Sequence, residues 1–86
     1  MSTHVYTLLA DVRGGARHWT VIVEVGGGPP VPLVRLGPMS TAEALYYACA
    51  EIGRGVQPMD WVPGEGTGWA TRWTLAVDVP AHHRTH

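Results

Sequence analysis

The chain has 86 residues, 45% hydrophobic and 15% charged, with a formal net charge of −1; this balance fits one globular domain and excludes a disordered or collagen-like chain. Its arginines, Arg13, Arg17, Arg35, Arg54, Arg72 and Arg84, stand one per segment. No basic face of the kind that displaces counterions from nucleic acid is present, so no nucleic-acid partner is expected.

Cys49 is the single cysteine, which excludes an intramolecular disulfide and a cysteine-rich metal site. Met1 to Thr7 is neither basic nor followed by an apolar run, and no segment approaches the roughly 20 apolar residues that span a bilayer. A cytoplasmic protein with no membrane partner is expected. Lys, Asn and Phe do not occur; their codons are rich in A and T, so a GC-rich source is expected, an actinobacterium or one of its phages. The base composition of the gene tests this.

In chain order, residues from about Val5 to Val12 alternate, with Tyr6, Leu8, Ala10 and Val12 on one side and Val5, Thr7, Leu9 and Asp11 on the other, the period of a strand. Gly14-Gly15 supplies a hairpin turn. The second strand, about Arg17 to Val25, sets Trp19, Val21, Val23 and Val25 against His18, Thr20, Ile22 and Glu24. Gly26-Gly27-Gly28-Pro29-Pro30 breaks the sheet, and Val31 to Leu36 forms a shorter third strand that Pro32 assigns to an edge.

Ser40 to Gly53 is the one helix. Ser40 and Glu43 make a capping box, and Gly53 and Gly55 around Arg54 supply its end. At about 100° per residue, Ala42, Leu45, Ala48, Cys49 and Ile52 form the stripe expected to be buried, with Tyr47 pointing away. Val56 to Trp61 is expected to extend briefly, and Pro63 to Gly68 to turn. The last strand alternates Trp69, Thr71, Trp73, Leu75, Val77 and Val79 with Ala70, Arg72, Thr74, Ala76 and Asp78. Pro80 ends it. Residues 1–80 are expected to form a single α+β domain, an antiparallel sheet of four to five strands with one helix on one face in the order β-β-β-α-(β)-β, and residues 81–86 a flexible His-containing tail.

One helix covers one side of a sheet, yet Val5, Leu9, Ile22 and Leu36 are assigned to the other side. An apolar sheet face of this kind meets a copy of itself or a partner, unless the chain's own loops close over it. Two aromatic residues join the candidate interface: Tyr47 on the helix flank, and Trp61, which serves either as an interface anchor or as a lid over the core.

Sites for chemistry are weaker. Gly26-Gly27-Gly28 runs into prolines and Gly64-x-Gly66-x-Gly68 into a strand, and without a lysine neither forms a phosphate loop. His82, His83 and His86 lack a nearby carboxylate or cysteine to complete a metal site, and Cys49 lies on the buried stripe as a small core residue. Asp11, Glu24 and Glu43 form the one acidic set that could hold Mg²⁺ in a nuclease-like enzyme. Three strands followed by a helix bearing Glu43 resemble the opening half of a ribonuclease H fold over Val5 to Gly53. Ser40-Thr41-Ala42-Glu43-Ala44-Leu45, between strands, resembles the Thr-x-x-Glu-Ala-Leu helix start of HicB-type antitoxins over about Val21 to Arg54. That resemblance implies a sheet packed on a helix and a protein that neutralises a small ribonuclease toxin. The residues themselves favour a non-enzymatic interaction module, an accessory or inhibitor protein with no cofactor, binding a protein partner or forming a homodimer. The antitoxin and the metal-dependent nuclease stand as alternatives.

Overall fold

The computed structural model describes residues 2–64 and 72–79. Three long strands come first, β1 (Ser2–Arg13), β2 (Ala16–Val25) and β3 (Val31–Pro38), then the helix α1 (Thr41–Ile52), a 3₁₀ turn at Pro58–Asp60, and strands β4 (Val62–Pro63) and β5 (Arg72–Val79). They form a five-stranded sheet in the order β3-β2-β1-β5-β4, antiparallel throughout. The α+β architecture is thus the expected one. The expected residues Trp69 to Thr71 of the last strand, and the tail from 81 to 86, lie outside the described residues.

The β1–β2 hairpin closes on Gly14 and Gly15, both at positive φ (56° and 79°). Two successive residues with positive φ make the turn whose twist matches the flanking strands, and glycine adopts it without steric cost. The turn fixes the register, Tyr6 opposite Val23, Leu8 opposite Val21 and Ala10 opposite Trp19. Strand β5 adds Leu75 beside Tyr6 and Trp73 beside Leu8. One face of the sheet therefore carries the alternating apolar set, and the helix packs on it. Tyr6, Leu8, Trp19, Val21 and Leu75 form one buried cluster with Ala44, Ala48, Cys49 and Trp61.

The helix starts at the Ser40 capping box. The Ser40 amide donates to Glu43 Oε1 at 3.1 Å and the Glu43 amide to Ser40 Oγ at 3.2 Å. Two further bonds tie this end to the sheet: Trp19 Nε1 donates to the Met39 carbonyl at 3.0 Å and the Arg17 guanidinium to Thr41 Oγ1 at 3.1 Å. The helix stops where Gly53, at φ 69°, donates its amide to the Cys49 carbonyl.

Three local expectations are corrected. Leu36, expected on the face away from the helix, pairs with Trp19 and packs against the core on the helix face, because directly paired residues share a face and the register shift between Val21 and Ile22 resets the alternation of β3. The buried helix stripe is Ala44, Ala48 and Cys49, with Leu45 and Ile52 at its margin, while Ala42 is exposed. Alanines at 42, 44, 48 and 50 ring the helix, and so small an apolar side chain gives no direction. Val56 to Trp61 does not extend as a strand. Pro58 opens a 3₁₀ turn in which Asp60 Oδ2 accepts the Gln57 amide at 2.8 Å, and pairing with β5 begins only at Val62 and Pro63, followed by the Gly64 amide on the Arg72 carbonyl at 2.7 Å.

Candidate functional site

The register also defines the opposite face. Along β1 it carries Val5, Thr7, Leu9 and Asp11; beside them stand Glu24, Ile22, Thr20 and His18 of β2, and Ala76, Thr74 and Arg72 of β5. The helix, which packs on the other side, covers none of it. Val5, Leu9 and Ile22 are half-buried, as are Thr7, Thr20 and Thr74. Apolar groups and threonine methyls thus form a continuous strip down the middle of the face. A shallow hollow of about 200 Å³ lies on it, lined by Thr7, Leu9, Ile22, Glu24, Pro30 and Arg72.

Charge on this face is segregated by register. Asp78 stands opposite Thr3 and accepts a hydrogen bond from its hydroxyl at 3.0 Å, and Glu24 stands opposite Val5. Both are acidic and mark one end of the strands. At the other end Arg72 pairs with Leu9, and Arg35 of β3 pairs with Thr20, itself opposite Leu9. Asp11 and Arg13 beyond them neutralise one another in an exposed ion pair of 2.7 Å. Arg35, Asp11, Arg13, His18 and Thr20 line a second hollow of about 320 Å³ at this basic end. The face thus runs from acidic through apolar to basic. Sequence reasoning identified the apolar residues but not the charge polarity, which depends on knowing that Arg35 and Arg72 fall at one level and Glu24 and Asp78 at another.

The two aromatic candidates sit elsewhere. Tyr47 is 48% exposed and meets Tyr46, itself 62% exposed, edge to face at 5.5 Å. Trp61 is only 4% exposed. Its indole nitrogen donates to Cys49 Sγ at 3.2 Å, inside the core. This burial favours the lid of its two expected roles: Trp61 pins the connection after the helix down over α1.

The acidic set does not converge. Asp11 pairs with His18 and Glu24 with Val5, six β1 positions apart, which at ~3.3 Å per residue is about 20 Å. Glu43 caps the helix, where the Ser40 amide and then the Ser40 hydroxyl hold its carboxyl below the ordinary value of 4.5. Among the described residues no group of three or more His, Cys, Asp or Glu is placed to hold a metal ion. The same capping geometry accounts for the Ser40-x-x-Glu43 pattern on which the antitoxin resemblance rests. No described helix is long and apolar enough to cross a membrane.

Among the described residues, fold and surface together define an α+β domain with one side of its sheet closed by a helix and the other carrying an apolar strip between charges of opposite sign. Compared with protein-family models, curated proteins and solved structures, the chain matches none of them.

Proposed function

We propose that this protein is a small non-enzymatic binding module that docks a protein through the sheet face opposite the helix. The observation that supports this reading is the strip of Val5, Leu9 and Ile22 on the face away from α1, with Ile22 opposite Thr7 and diagonal to the other two. Isolated exposed apolar residues are ordinary on soluble proteins, whereas a contiguous strip with a polar rim has the composition of an interface centre. Removing it from water supplies a non-directional attraction, and the charges at its two ends supply orientation.

The test compares proteins retained from a source lysate by the immobilised wild-type chain, by Ile22→Glu and by Met59→Glu. Met59 is 87% exposed, so its variant controls for added charge. The expected result is retention by wild type and Met59→Glu and loss with Ile22→Glu. An Ile22→Glu chain that folds and still retains the same proteins overturns the reading.

A further inference from the structure

We infer that the occupant of the open face is a second copy of this chain, stacked face to face about a two-fold axis that lies across the strands. The inference rests on the reading of that face as a protein-docking surface and names the partner. Its argument is the charge layout. A two-fold axis across the strands reverses strand direction between copies, so the acidic end of one face lies on the basic end of the other. Asp78 then falls over the Arg72 region of the second β5, and Glu24 over the Thr20–Arg35 region of the second β2 and β3, with the reciprocal contacts generated by the symmetry.

The level of each charge supports that placement. Measured along β1, the acids stand at the levels of Thr3 and Val5 and both arginines at the level of Leu9. An axis near Thr7 carries Glu24 onto the level of the arginines and Asp78 to the level of Asp11, two residues past Arg72, a residual offset of about 7 Å that an arginine side chain spans, while Asp11 is held in its own pair with Arg13. The same axis sets Val5 of one copy over Leu9 of the other and Ile22 near its own symmetry mate. A two-fold axis along the strands instead stacks acid on acid and arginine on arginine. The charge pattern therefore selects one of the two ways in which a sheet can lie on its own copy.

The area suffices. Four strands at about 4.8 Å spacing and eight to ten residues at ~3.3 Å give roughly 500 Å² of face, so two copies hide on the order of 1,000 Å², the lower bound for a specific interface. The threonines among the apolar residues keep the free face wettable, which suits a dimer in exchange with monomer.

Sedimentation velocity of the purified full chain over a concentration series tests this, with wild type, Arg72→Asp and the double swap Arg72→Asp/Asp78→Arg. Both positions are exposed, and circular dichroism verifies that the variants fold. Expected are a wild-type dimer weakened by salt, a dissociation constant raised on the order of 100-fold in Arg72→Asp, and recovery to within about tenfold in the double swap, whose face has its acid and base exchanged on β5. A wild-type chain that stays monomeric overturns the inference, as does a dimer indifferent to Arg72→Asp, which would form elsewhere, at the Tyr46–Tyr47 pair or a sheet edge. The lysate comparison separates the two failures: a monomer whose captured proteins are lost with Ile22→Glu leaves the docking face standing and refutes only the second copy.

Discussion

Trp61 decides between two pictures of this protein, and Trp61→Ala separates them. At 4% exposure its side chain hides most of the 150–250 Å² that an aromatic residue of this size buries, about 4–6 kcal/mol at ~25 cal/mol per Å². That is an upper figure, since the unfolded chain already hides part of it. Truncation of a buried tryptophan costs about 3–5 kcal/mol where the core relaxes only partly. A domain of 86 residues has a total stability of about 4–13 kcal/mol, so Trp61→Ala removes about a quarter or more. Trp61→Phe keeps most of the packing and deletes the N–H that meets Cys49 Sγ; sulfur is a weak acceptor, and a loss of about 0.5–1.5 kcal/mol is expected. Urea unfolding followed by far-ultraviolet circular dichroism measures both without relying on tryptophan emission. A Trp61→Ala chain that loses less than about 1 kcal/mol at unchanged m-value, yet loses self-association or partner capture, would falsify the lid and restore the surface anchor.

Other consequences follow from the same geometry. Cys49 is 7% exposed beneath Trp61, so its thiol should resist a thiol-directed reagent in the native chain and react in Trp61→Ala; equal rates in the two would show that the indole does not cover it. Trp19→Phe leaves the Met39 carbonyl without the indole donor that meets it at 3.0 Å, and a loss of about 1–3 kcal/mol is expected by urea titration; a neutral result would mean that water replaces the bond. Ser40→Ala removes the helix cap and should cost about 1 kcal/mol. Because the Glu43 carboxyl lies below its ordinary 4.5 in the folded chain, its contribution is complete above that value and fades as pH falls through the folded-state value. Thermal midpoints of wild type and Glu43→Gln should therefore converge toward acid; curves that stay parallel from neutral to acid pH would refute this.

What was readable from sequence divides along a physical line. Strands β1, β2 and β5 announce themselves because alternate residues must lie on opposite faces, and Gly14-Gly15 pins the hairpin whose register sets the rest. The helix start was readable because a capping box is a local bond between Ser40 and Glu43. The direction of the helix was not: Ala42 and Ala44 differ only in what tertiary packing places beside them, and Ala44 is fully buried while Ala42 is exposed. Gln57 to Asp60 misled for a related reason. Where Val56 to Trp61 is expected to extend, the bond from the Gln57 amide to the Asp60 carboxylate turns the chain instead.

The candidate site shows the same division more sharply. Val5, Leu9 and Ile22 could be assigned to one face by parity alone, but Arg35, Arg72, Glu24 and Asp78 lie on three strands whose relative levels only pairing reveals. Their sorting into two ends has a consequence that apolar area lacks. Hydrophobic contact is indifferent to orientation, so a strip such as Val5–Ile22–Leu9 alone would permit stacking in several directions. In the proposed dimer, charges of opposite sign at its ends favour the antiparallel stack and oppose the parallel one. In that proposal the charged rim sets how the two copies are oriented, and the apolar strip sets how tightly they hold.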